Sequence, residues 1–181
     1  MKRYFFILVV VALGASIFGV WQPATDYREF EYVSYSYQIV DGDATTTFTI
    51  TTFIKKTDTG YTVTNQIVQE FPDEPLDMVT LTGGFYSYVA MFFMNPMSMM
   101  LMNYLDFEEM LPMKIMGFGT IRYEGEEEVG KYKGQKVVLY DEEKEPVFSW
   151  VINPEMPLVI KSVLYDENMT LTLLDYKMAG K

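Results

Sequence analysis

Thr45–Gln69 reads TTTFTITTFIKKTDTGYTVTNQIVQ. Phe48, Ile50 and Ile54 alternate there with Thr47, Thr49, Thr51 and Phe53. A two-residue period built from Thr, Ile and Phe is a strand pattern, with one face apolar and the other polar. Asp58-Thr59-Gly60 then supplies a tight turn. After it Tyr61, Val63, Asn65, Ile67 and Gln69 alternate with Thr62, Thr64, Gln66 and Val68. Two alternating runs joined by a short turn predict an antiparallel hairpin.

Working outward, Asp41-Gly42-Asp43 marks a second turn. It lacks the further oxygen ligands and closing Glu of a calcium loop, so it reads as a turn. Before it, Tyr27, Glu29, Glu31, Val33, Tyr35, Tyr37 and Ile39 fall on one face of a strand. Phe30, Tyr32 and Val40 fall on the other with Arg28, Ser34, Ser36 and Gln38. The N-terminal part is therefore a three-stranded meander.

The C-terminal part repeats the pattern. Met113 to Tyr123 predicts a strand bent at Gly117 and Gly119. Gly125 to Glu128 reads as an acidic turn. Strands follow at Gln135–Tyr140, Val147–Ile152, Leu158–Tyr165 and Thr170–Tyr176, separated by Asp141–Glu145, Asn153–Pro157 and Asp166–Asn168. The fold class is mainly β with some helix (α+β), a sheet of about seven to nine strands, a common size. Asn168-Met169-Thr170 fits the N-glycosylation tripeptide, and its place at a turn also fits a plain β-turn.

Between the meanders, Met78 to Leu105 holds 28 residues without a charge. Gly83-Gly84 and Asn95-Pro96 divide it, and Asn95-Pro96 reads as an N-cap followed by Pro at the first helical position. A short helical insertion is expected over about residues 85–110. The stretch is long enough for a membrane span, but these breaks and the absence of Lys or Arg between Lys56 and Lys114 oppose one. Six of its methionines suggest a copper(I) site, yet thioethers also fill irregular apolar space. Two readings stand: helices packed on the sheet as ordinary core, or a lid over an apolar groove. The groove reading assigns ligand contact to Phe85, Met91, Phe92, Met94, Met97, Met100, Leu101 and Tyr104.

At the N-terminus, Lys2-Arg3 precedes an uncharged, mostly apolar run from Tyr4 to Trp21. Basic then apolar is the order of an export signal, so residues 1–23 are expected to be a cleaved signal peptide or a retained anchor. At about 1.5 Å rise per residue the run spans about 27 Å. Residues 24–181 then form one extracytoplasmic domain, secreted or held at the outer face of the cytoplasmic membrane.

Composition narrows the chemistry further. There is no Cys and no His, which excludes disulfides, thiolate metal sites and the Ser-His-Asp and Cys-His nucleophile arrangements. Fourteen Lys and Arg face 25 Asp and Glu, a net charge of −11, which repels nucleic acid. Acidic runs at Asp106–Glu109, Glu124–Glu128 and Asp141–Glu145 are the remaining reactive groups. A paired-carboxylate hydrolase needs two acids across one cleft, whereas runs in turns are solvated. No catalytic residue, cofactor or metal is expected.

The C-terminal third has a recognisable order: a Gly-flanked Tyr segment (Gly130–Gly134), a strand, a strand carrying Trp150, then Asn153-Pro154 and Pro157-Leu158, then two strands ending Leu174-Asp175-Tyr176. This resembles the tail of LolA-like proteins, the outer-membrane lipoprotein carriers and their relatives. The resemblance implies a curved antiparallel sheet, an unclosed barrel, with helices in its hollow. It implies binding of an acyl chain or apolar protein segment, and it carries over no ligand residue by position. The expected function is a non-catalytic apolar-ligand, lipid or lipoprotein-binding module of the cell envelope. The alternative is a structural or protein-interaction domain of the envelope with no small ligand.

Overall fold

The computed structural model of the chain describes residues 26–70, 105–107, 109–115, 117, 119–166 and 168–180. The expected leader at 1–23 and most of the uncharged stretch lie outside them.

A 3-10 turn at Tyr27–Glu29 opens the described chain, capped by Asp26, whose carboxylate accepts from the Arg28 backbone N–H. Nine strands follow: β1 (Phe30–Asp41), β2 (Ala44–Thr57), β3 (Gly60–Gln69), β4 (Met113–Ile115), β5 (Gly119–Val129), β6 (Tyr132–Tyr140), β7 (Pro146–Ile152), β8 (Val159–Leu164) and β9 (Met169–Met178). All pair antiparallel in one sheet, ordered β3-β2-β1-β9-β8-β7-β6-β5-β4, which does not close into a barrel. The two meanders are thus spliced by a β1–β9 ladder running from Phe30↔Met178 to Ile39↔Met169.

Among the described residues the only helix is that 3-10 turn. The helical insertion expected at 85–110 is therefore corrected where it is described: 105–107 and 109–110 hold bridge, turn and irregular backbone. The Asp106 side chain accepts from the Glu109 N–H and its carbonyl from the Met110 N–H, a single capped turn that Pro112 and the start of a strand at Met113 leave no length to extend into a helix. The part at 85–104 lies outside the described residues.

Two further expectations are corrected. Phe30 was placed opposite Val33, but a bulge at Glu31 (Phe30↔Met178, then Tyr32↔Lys177) brings both into one buried cluster. An extra residue in one strand flips side-chain parity. Leu174 does the same in β9, so Leu173 and Tyr176 both pack inward while Leu174 stays exposed. Glu126–Glu128 do not form a turn; they pair with Gln135, Gly134 and Lys133 across β5–β6. Gly125, at φ +92°, takes the bulge that lets β5 continue. Lys133 then faces Glu126, and Lys161 lies 2.8 Å from Glu127.

The core is uneven. Leu105, Phe107, Ile121, Val137, Leu139, Trp150 and Ile152 form one buried cluster on β5–β7. Phe30, Val33, Val151, Met156, Leu158, Ile160 and Leu173 form a second around the splice. Only Phe48 and Ile50 are buried on β2, and no residue of β3 is buried. Between the halves, the Tyr35 hydroxyl donates to the Val159 carbonyl at 3.0 Å. We expect Tyr35→Phe to cost about 1 kcal/mol in urea unfolding, the net worth of one such bond; an unchanged midpoint would show that the bond contributes nothing.

Candidate functional site

The thinly covered half carries a hollow. In the ladder, Tyr35 lies opposite Ile50 and Val33 opposite Thr52, while Ile54 lies opposite Val63. Directly paired residues project from the same face of a sheet. These side chains, with Tyr37 and with Tyr27 from the 3-10 turn, line an open cavity of about 320 Å³. That is the lower end of the range for small-molecule sites.

The lining is aromatic and aliphatic, with no charged residue. Two of its hydroxyls are turned to protein partners. Thr52 Oγ1 donates to Asn65 Oδ1 at 2.8 Å, and the Tyr35 hydroxyl is held by Val159 as described. Tyr37 stacks on Phe48, with ring centroids 5.2 Å apart and planes 6° off parallel. Burial pushes the Tyr35 hydroxyl well above its ordinary pKa, and neighbouring tyrosines add to the effect. Burial raises Tyr27 as well. Both hydroxyls therefore stay protonated and neutral across the physiological range.

Charge begins beside the hollow. Arg28 sits over the Tyr61 ring, 6.0 Å from its centroid, and its guanidinium is bound by Asp26. Arg28 holds the Asp26 carboxyl at about 2, mainly through side-chain hydrogen bonds. This depressed carboxyl keeps its pairing above the ordinary carboxylate range and loses it as pH falls through about 2.

The sequence-predicted ligand residues Phe85, Met91, Phe92, Met94, Met97, Met100, Leu101 and Tyr104 all lie outside the described residues. Leu105, the last of the uncharged stretch, is described: it is fully buried beside Phe107 and Trp150. That end of the stretch packs as core.

No protein-family model, curated protein or solved structure matches the chain. The hollow has to be read from its own chemistry.

Several of the acids are engaged locally. Glu124 accepts from the Tyr140 hydroxyl and lies 3.5 Å from Lys136. Asp141 accepts from the N–H groups of Glu143 and Glu145 and so shapes its turn. Asp175 bonds Lys131 and the Tyr32 hydroxyl, each at 2.6 Å, and Lys131 first, then Tyr32, lowers its pKa. Among the described residues no three His, Cys, Asp or Glu gather as a metal site, and no helix is long and apolar enough to cross a membrane.

Reading the sequence missed the hollow because Val33, Tyr35 and Ile54 look like ordinary core positions. The available signal was β3: its alternation continues, yet it lacks the bulky aliphatic density of a strand covered on one face.

Proposed function

We propose that the protein is an exported, non-catalytic module of the cell envelope that binds an apolar ligand, a lipid chain, in the hollow of β1–β3. The observation that carries this reading is the uncharged aromatic and aliphatic lining of that hollow, with the Tyr35 and Thr52 hydroxyls engaged by the protein. Such a surface offers a hydrocarbon chain dispersion contacts and relief from water, and nothing to orient a charged substrate. The LolA-like relationship, export through the Lys2-Arg3 leader and membrane attachment by an uncleaved leader belong to the same proposal.

Purified protein should carry lipid in native mass spectrometry, and delipidated protein should bind a fluorescent fatty-acid probe. Ile54→Lys places an ammonium on the lining, and we expect probe affinity to fall at least about tenfold with unchanged circular dichroism. Absence of probe uptake by the unaltered protein would sink the reading. A second reading, an envelope interaction domain with no small ligand, is favoured by the exposed apolar side chains of β3. It predicts no uptake and no effect of Ile54→Lys.

A further inference from the structure

The two margins of the sheet are treated differently. At one, β4 is three residues long with an exposed Lys114 at its centre. Short length and a lysine are the usual ways of keeping an edge from pairing with another chain. At the other, β3 is ten residues long, and among the described residues no strand lies on its outer side. It has no charge from Gly60 to Gln69, no proline, and exposed Tyr61, Val63, Ile67 and Val68.

An edge strand leaves every second residue's N–H and C=O unpaired. Thr57 and Gly60 close the two-residue turn. Counting from that closing pair, the residues that bond β2 are the even-numbered ones, so Tyr61, Val63, Asn65, Ile67 and Gln69 present their backbone outward. We propose that β3 pairs antiparallel with β3 of a second copy of this chain about a two-fold axis at Asn65.

Three observations select a second copy in this register. First, the pairing is self-complementary: Val63 meets the other copy's Ile67 twice over, Tyr61 meets Gln69, and the two Asn65 amides face each other. Second, charge fixes the register. Sliding the axis to Thr64 sets Asp58 against the other copy's Glu70, two like charges, while sliding it to Gln66 dissolves both Val63–Ile67 pairs. Third, a chain of net charge −11 repels its copy over most of its surface, and an uncharged strand is the place where two copies meet without that cost.

The dimer also alters the hollow. Val63 lines its open side and is 57% exposed. With the axis perpendicular to the sheet, the second copy's Ile67 comes to lie beside it on the same face. The two hollows then border one continuous apolar surface. The dimer does not depend on ligand binding.

Sedimentation velocity at roughly 100 μM, well above a micromolar dissociation constant, tests the pairing. The unaltered protein is expected to run as a dimer, and more completely at higher salt, which screens the remaining repulsion. Asn65→Pro removes an outward N–H while leaving the β2 ladder intact, and should give a folded monomer by circular dichroism. Should that variant unfold, Ile67→Lys on the same edge, outside the hollow's lining, serves with the same expectation. Because the chain has no cysteine, Asn65→Cys gives a register test. Facing residues of a hydrogen-bonded pair lie about 5.5 Å apart, within disulfide reach. Oxidation should link Asn65→Cys into dimers and leave Thr62→Cys, far from its counterpart across the axis, unlinked. A monomeric unaltered protein, a dimer that survives both edge variants, or equal cross-linking at both cysteines would overturn the proposal. Probe binding by the unaltered protein separates this outcome from the ligand reading: uptake with no dimer leaves the hollow standing and removes the interface, and a dimer with no uptake does the reverse.

Discussion

Gly119→Ala is expected to cost at least about 3 kcal/mol, enough to leave a domain at the low end of ordinary stability marginal. Gly119 opens β5 at φ +122°, a conformation that side chains rarely adopt. A Cβ there would lie 1.8 Å from the Tyr140 carbonyl oxygen and 2.8 Å from its carbon. Both are backbone atoms of the neighbouring strand, so no rotamer change relieves the overlap. Either β5 parts from β6 at the Thr120↔Tyr140 pair, or the chain between β4 and β5 is rebuilt. Gly130→Ala is the control. Its φ is +59°, but open space surrounds the added methyl, so only the left-handed strain of about 1–2 kcal/mol applies. Urea unfolding of both variants checks the ordering; equal costs would show that the close approach at Tyr140 is not a constraint.

Trp150→Ala should cost about 3–5 kcal/mol by opening a large cavity. The side chain is 1% exposed, its ring 4.6 Å from Phe148, at the centre of the β5–β7 cluster. The indole brings its own penalty: its Nε1–H is buried and meets no acceptor. An unsatisfied buried donor costs about 1–3 kcal/mol. Trp150→Phe removes that donor while retaining most of the ring, so its cost should be less than half that of the alanine variant. Matched losses in denaturant titrations would mean that the indole N–H is not a liability.

The β2–β3 hairpin was legible in sequence, because period-two alternation and a turn signal are local properties of the chain. Strand count and antiparallel sense followed from the same signals. What escaped depends on partners remote in sequence. The bulges at Glu31 and Leu174 exist only because β1 and β9 must share a register. Glu126–Glu128 read as a turn because three acids in a row repel; Lys133 and Lys161, brought alongside by β6 and β8, are what make them a strand. The Gly117–Gly119 bend was foreseen, but it joins two strands, β4 and β5, and does not bend one. For the site, sequence pointed to the methionine-rich stretch, whose proposed contacts lie outside the described residues. The hollow lies where, among the described residues, β1–β3 carry no covering layer, and the sparse aliphatic content of β3 is the one local sign of it.

The splice of β1 to β9 has a consequence for the order of assembly. The sheet's first strand has its second neighbour only when the last strand is available, so the ladder from Phe30↔Met178 to Ile39↔Met169 closes a loop of nearly the whole described chain. Such long-range closure pays its entropy late and folds slowly. Until then the β1–β3 meander is a three-stranded fragment with both margins open and little buried core of its own. A chain synthesised from its N-terminus therefore remains incompletely folded until β9 emerges, and its first three strands wait for the last with an open edge on either side.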